Sequence, residues 1–183
     1  MQITNVDELL VFLETGKEVK YLFFWGHQKP KSGVNQSCFS QWYDAPFTKD
    51  DVFYSTAEHF MMAGKALLFK DQAMYEKILQ AKTPGEAKKL GRQIQGFTND
   101  VWLQHRFGIV VEANLLKFSQ NLELKQYLLN TQGRVLVEAS PVDAIWGIGL
   151  AADNPDAGKP KLWQGLNLLG FALMVVRERL LQG

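Results

Sequence analysis

Two opposite charges, Glu58 and Lys65, stand in the apolar stretch YSTAEHFMMAGKALLF, residues 54–69. In an α-helix they would lie on one line, about 10 Å apart along the axis. Unpartnered charges are costly beside apolar residues, so this spacing indicates a pocket wall that grips a small molecule. Alternatively, Glu58 closes a capping box with Ser55 while Lys65 reaches outward. The opposite face is expected to meet water: His59, Ala63, Ala66 and Lys70.

A second candidate group is Asp143, three residues before Trp146 in EASPVDAIWGIGL. In a helical turn the two side chains would point the same way. A carboxylate beside an indole can hold a sugar or a base, because the ring stacks while the acid accepts hydrogen bonds. The alternative is that Asp143 caps a turn and Trp146 belongs to the core.

Other motifs carry little chemistry. Gly147, Gly149 and Ala152 spell G-x-G-x-x-A, but Pro141 and DAIW intervene between the preceding strand and these glycines, so we reject a dinucleotide site. The three histidines lack zinc-ligand spacing, and we predict neither a metal nor a cofactor. The single cysteine, Cys38, is a conceivable nucleophile but is more typical of a buried position.

Composition predicts one globular domain over residues 1–183. The 20 Lys and Arg against 19 Asp and Glu give a net charge of +1, without the broad basic surface of a nucleic-acid-binding protein. The amino terminus does not read as a signal peptide, and no apolar run could span a membrane. We therefore expect a soluble, cytoplasmic protein without a membrane partner; the sequence does not indicate its oligomeric state.

Hydrophobic periodicity predicts a chain rich in helices. Thr83 with Glu86 matches a capping box, and Pro84 occupies the first helical position. Residues 26–52 are expected to form short strands and loops. Helices are predicted near 6–14, 56–69, 71–81, 84–92, 99–119, 121–130 and 167–182, with strands near 20–26 and 134–139.

Four blocks in order, YSTAEHFMMAGKA, VVEANLLKFSQN, LVEASPVDAIWGIGL and LWQGLNLLGFALMVVRERL, resemble the NADAR family, also described as YbiA-like. The resemblance covers about residues 22–181. It implies a mainly α (α+β) fold, a single-domain helical bundle with a small β-sheet. It also implies an N-glycosidase that cleaves the bond between a ribose and an amine.

The resemblance implies site residues as well. Glu58, Lys65 and Asp143 would be catalytic. Gln41 stands where family members often have Asn. The glutamine keeps the amide but has a longer side chain. Substrate-binding residues would be Trp25, Gly26, Phe39, Ser40, Gln41, Trp42, Trp146 and Gly147.

Two chemical roles remain open for Lys65. It either contacts a phosphate or a proton, or attacks C1 of the opened sugar to form a Schiff base, which requires a depressed pKa. Either carboxylate could protonate the leaving nitrogen or stabilise an oxocarbenium-like state. Arg92 and Arg106 are possible phosphate partners, and the alternative for each is a solvent-facing or salt-bridged residue.

The resemblance also implies the substrate classes. One is a phosphorylated ribosylaminopyrimidine of riboflavin biosynthesis, cleaved to release ribose 5-phosphate. The alternatives are ADP-ribosylated guanine, which would make modified nucleic acid a substrate, or an ADP-ribose or nucleotide that a non-catalytic module only binds.

Overall fold

The computed structural model describes residues 3–183, in which the chain forms seven α-helices, four short strands and two 3-10 helices. The helices are α1 (Val6–Glu14), α2 (Ala57–Leu68), α3 (Gln72–Leu79), α4 (Pro84–Gly91), α5 (Asn99–Gln120), α6 (Leu122–Leu129) and α7 (Leu168–Gln182). The strands are β1 (Lys20–Phe24), β2 (Phe47–Lys49), β3 (Val52–Tyr54) and β4 (Arg134–Glu138). The 3-10 helices are Gln36–Phe39 and Pro160–Leu162.

The chain divides into two compact units. Unit 1 comprises residues up to Ser40 together with Glu123–Gly183, and unit 2 comprises Gln41–Leu122. The single domain predicted for residues 1–183 stays a prediction.

Unit 1 is built on a parallel pair of strands, β1 and β4, with Tyr21 opposite Val135 and Phe24 opposite Glu138. Helix α7 packs closely against β4. This approach is possible because Gly170 has no Cβ, which would overlap the carbonyl oxygen of Leu136. Asn167, in a left-handed conformation just before α7, fastens the same strand. Its Nδ2 donates to the Leu136 oxygen and its Oδ1 accepts from the Glu138 N–H, both at 2.9 Å.

Unit 2 surrounds helix α2, which packs against α3, α4 and α5. The hairpin of β2 and β3 precedes α2, and its turn places Asp50 and Asp51 at positive φ, as tight hairpin turns require. Gly64 of α2 would bring a Cβ within 3.1 Å of Ile109, so α2 and α5 approach closely. Unit 2 therefore holds α2 by neighbours on several sides.

The structure confirms the predicted helices to within two residues at each end, and the mainly α fold with few strands. It also confirms the cap of α4, where the Glu86 N–H donates to Thr83 Oγ1 at 3.1 Å. Glu86 Oε2 also accepts a hydrogen bond from the N–H of Lys82, one residue before the cap. No helix within residues 3–183 has the length and apolar character needed to cross a bilayer.

Two details predicted for α2 are wrong. The cap is Thr56, whose Oγ1 accepts from the His59 N–H, so Ser55 and Glu58 form no capping box. The face expected to meet water is largely buried: His59 is 2% exposed, and Ala63 and Ala66 are inaccessible. The cause is packing on several sides, which a single apolar stripe does not predict.

Candidate active site

Glu58 lies in the first turn of α2 and is 3% exposed. Its N–H donates a 3.0 Å hydrogen bond to the carbonyl oxygen of Gln41. The Gln41 side chain is buried as well, and its Oε1 accepts from Asn114 Nδ2 at 2.7 Å. Asn114, fully buried in α5, also donates to the Val110 carbonyl oxygen. These bonds fix the backbone from which Glu58 projects.

Lys65 lies two turns further along α2 and is half-buried. Its Nζ donates a 2.8 Å hydrogen bond to the carbonyl oxygen of Gly91, the last residue of α4. The nitrogen also lies 4.3 Å from the ring centre of Phe97 and 5.5 Å from that of Trp102. Burial lowers the pKa of Lys65, because the charged amine loses hydration.

The residues around this amine were not predicted from the sequence. Gly91 ends α4, Phe97 lies in the loop that follows, and Trp102 lies in the first turn of α5. The only available signal was weak: aromatic residues separated from Lys65 by a helix and a loop. Because a Cβ at Gly91 would overlap Met62, this glycine also lets α4 approach α2.

Asp143 shapes the loop after β4. Its Oδ1 accepts from the N–H groups of Ile145 at 2.8 Å and Trp146 at 2.7 Å, an Asx turn. Asp143 thus caps a turn, as one sequence interpretation had it, and both bonds fall on the same oxygen. Within residues 3–183, Oδ2 accepts no hydrogen bond, which leaves it able to contact a substrate atom.

Several site residues predicted in unit 1 gather at the carboxyl ends of β1 and β4. Trp25, 58% exposed, and Gly26, at positive φ, follow β1 directly. Gly147 lies against β4, since a Cβ would stand 2.8 Å from the Glu138 carbonyl oxygen. The crevice outside the carboxyl ends of parallel strands is a common ligand position.

The remaining predicted residues differ in accessibility. Phe39 is fully buried, with its ring centre 5.4 Å from that of Phe24. Ser40, half-buried, ends the first 3-10 helix by donating its N–H to the Ser37 carbonyl oxygen. Trp42 is half-buried, and its ring lies 5.9 Å from Lys88 Nζ. Phe39 therefore packs inside the protein, whereas part of the Trp42 ring stays accessible.

Within unit 2 the structure brings Gln41 to the helix that carries Glu58 and Lys65. Within unit 1 it brings Trp25 and Gly26 near the turn of Asp143, Trp146 and Gly147, because Phe24 and Glu138 end paired strands. Within residues 3–183, no three His, Cys, Asp or Glu side chains are grouped as a metal site would require.

Known proteins resemble this chain over most of its length. The profile of the NADAR domain matches residues 23–181. N-glycosidase R617 of Acanthamoeba polyphaga mimivirus is 44% identical over 164 residues, 87% of this chain and 95% of that protein. Riboflavin biosynthesis protein PYRR, chloroplastic, of Zea mays is 36% identical over 144 residues, 74% of this chain and 21% of that protein.

The fold has a solved counterpart. The NMR structure of Escherichia coli YbiA superimposes with a TM-score of 0.71 at 28% identity, covering 91% of this chain and 88% of that chain. Fold and relatives together define a class of enzymes, hydrolases of N-glycosyl bonds. The chain belongs to the NADAR family and is an N-glycosidase.

Proposed function

We propose that this enzyme hydrolyses the ribosyl–amine bond of phosphorylated ribosylaminopyrimidines and releases ribose 5-phosphate. The observation that carries the proposal is the pair of relatives, one named an N-glycosidase and one named for riboflavin biosynthesis. Early intermediates of that biosynthesis carry an amine on ribose C1, as the family resemblance implies. An N-glycosidase that matches both relatives fits such a substrate.

Lys65 is proposed as the nucleophile. A lysine attacks carbon only as the neutral amine, and burial lowers the pKa of Lys65 toward that form. The ribosyl ring first opens: the bond from C1 to the ring oxygen breaks, the oxygen takes the proton of the pyrimidine N–H, and C1 becomes double-bonded to that nitrogen. The neutral Lys65 amine adds to C1, the bond from C1 to the pyrimidine nitrogen breaks, and the pyrimidine leaves as a free amine with the protons that Nζ gives up. A Schiff base between C1 and Nζ then joins the sugar to the enzyme until water hydrolyses it.

The two carboxyl groups serve the proton transfers. The departing nitrogen takes one proton, and the water that adds to C1 loses one, so an acid that gives a proton can recover it later. Glu58 and Asp143 are proposed for these roles. The support for Asp143 is its open Oδ2, and the support for Glu58 is its rigid backbone attachment in α2.

The experiment incubates the protein with a ribosylaminopyrimidine 5-phosphate and, in parallel, with ADP-ribosylated guanine. Released ribose 5-phosphate and released ADP-ribose are measured by mass spectrometry. The proposal expects turnover of the first substrate at least 10-fold above the second. Lys65→Ala, Glu58→Gln and Asp143→Asn should each lower kcat by about 100-fold or more, with unchanged circular dichroism.

Borohydride supplies the test of the nucleophile. Reduction during turnover should add the mass of the reduced ribosyl phosphate to the wild-type chain and leave Lys65→Ala unlabelled. Preference for ADP-ribosylated guanine would contradict the proposed substrate. Turnover with no mass increase would remove the Schiff base and leave Lys65 a binding role.

A further inference from the structure

We infer that Arg106 is a specificity-determining residue that binds the phosphate of the substrate beside Lys65. Three observations carry this inference, all within unit 2: the position of Arg106 on α5, its burial without a protein partner, and the absence of an acidic partner for Lys65. The inference rests on the proposed function for its substrate class.

Arg106 lies on the stripe of α5 that packs against α2. Residues three and four apart share one face of a helix, so Trp102, Arg106 and Ile109 form a row. The row contacts α2 at both ends: Trp102 lies over the Lys65 amine, and Ile109 fills the space beside Gly64. Arg106 stands between these two contacts.

This guanidinium is half-buried, and burial lowers the pKa of Arg106. Nevertheless, across residues 3–183 it forms no ion pair and no hydrogen bond. An arginine carries five N–H donors, and ordering it in a partly desolvated place without acceptors is unfavourable. The position therefore favours an acceptor that arrives from outside the protein.

Lys65 strengthens the same conclusion. Its contacts are a carbonyl oxygen and two aromatic rings, and no carboxylate of the described chain pairs with it. Two cations, each partly desolvated and neither paired with an acid, create a local positive potential. A phosphate compensates it best, because its oxygens match the planar donor fork of arginine.

The geometry also gives Lys65 and Arg106 different roles. Phe97 and Trp102 hold the Lys65 amine on the Gly91 carbonyl, where it can reach a sugar C1. Arg106, one turn beyond Trp102 on α5, takes the phosphate. The anion is either the 5-phosphate of a ribose or the pyrophosphate of ADP-ribose, which share this chemistry.

Binding can be tested without catalysis. Calorimetry measures the affinities of ribose, ribose 5-phosphate and ADP-ribose for the wild type, Arg106→Met and Arg106→Gln. Arg179→Met, at an exposed arginine of α7, is the matched control. We expect both Arg106 variants to lose roughly 10- to 100-fold in affinity for a phosphate-bearing ligand and to leave ribose unchanged. Loss with ribose 5-phosphate assigns a monoester; loss only with ADP-ribose assigns a pyrophosphate.

Several outcomes overturn the inference. They are equal losses for ribose and its phosphate, unchanged affinity in both Arg106 variants, an equal loss in Arg179→Met, or no wild-type affinity for either phosphate ligand. Failure of the proposed function looks different: the wild type then binds ribose 5-phosphate through Arg106 but does not cleave the ribosylaminopyrimidine. Conversely, turnover of the ribosylaminopyrimidine together with phosphate binding that does not depend on Arg106 contradicts only the inference about Arg106.

Discussion

The ammonium nitrogen of Lys65 donates a 2.8 Å hydrogen bond to the carbonyl oxygen of Gly91, the residue that ends α4. The last carbonyls of a helix lack partners within the helix and carry partial negative charge. An amine suits such a position. The contact therefore fixes a reactive group on the end of one helix while its backbone belongs to another, so that changes in α4 should reach the chemistry of α2.

Gly91→Ala should disturb this contact. The new Cβ would overlap Met62, and the shift that relieves the overlap moves the Gly91 carbonyl away from Lys65. We expect a loss of about 1–3 kcal/mol in the free energy of unfolding, measured by urea denaturation, and a lower kcat. Gly108→Ala is the control, because open space surrounds Gly108 in α5. Equal effects of the two substitutions would contradict the packing explanation.

Lys65 should give the reaction a characteristic pH dependence. Burial lowers its pKa below 10.5, and the neutral amine is the attacking form, so kcat/KM rises as pH increases through the lowered pKa. Rates measured from about pH 6 to about pH 10 should show this inflection in the wild type. Lys65→Arg should abolish turnover, and a flat profile in the wild type would exclude a titrating nucleophile.

His59 should make stability depend on pH. Thr56 donates its hydroxyl to Nδ1 at 2.8 Å, and Nε2 donates to the Ala81 carbonyl oxygen at 3.1 Å, an arrangement of the neutral ring. Burial lowers the pKa of His59 below 6.5. Between the lowered pKa and 6.5, the unfolded chain therefore binds a proton at His59 that the native chain does not bind. The free energy of unfolding therefore falls as pH drops through 6.5 toward the lowered pKa, and recovers above it.

Urea midpoints measured in small pH steps across that window test the prediction. His59→Gln replaces the ring by an amide that does not titrate, so the free energy of unfolding should depend less on pH in this variant. If the variant shows the same slope as the wild type, another group is responsible.

Two substitutions at Asp143 should separate turn formation from chemistry. Asp143→Asn keeps an oxygen that can accept from the Ile145 and Trp146 N–H groups, whereas Asp143→Ala loses both bonds. We expect Asn to preserve thermal stability and lower kcat by about 100-fold, since the charge is lost. Ala should lower both. Wild-type kcat in Asp143→Asn would leave Asp143 a purely structural residue.

Local patterns in the sequence predicted the elements well. The apolar periodicities located all seven helices, and Thr83 with Glu86 marked the start of α4. The same reasoning failed at α2, where Ser55 and Thr56 are both good caps. Thr56 takes that role, and its hydroxyl also donates to the ring of His59, which in turn donates to the Ala81 carbonyl oxygen.

The candidate site likewise combines features that the sequence could predict with features that it could not. Asp143 followed by Trp146 signalled a capped turn, because an Asx turn is local in sequence. The surroundings of Lys65 were not predictable, because Phe97 and Trp102 reach its amine through the loop after α4 and the start of α5. The unpaired state of Arg106 is likewise a property of three-dimensional packing.

Asn167 has a consequence for self-association. Its side-chain amide offers β4 one donor and one acceptor, at Leu136 and Glu138, in the manner of an adjoining strand. With β1 on the other side, β4 presents no open hydrogen-bonding border there. An added extended peptide would therefore find the Leu136 oxygen and the Glu138 N–H already bonded, which blocks edge-to-edge pairing at this point of β4.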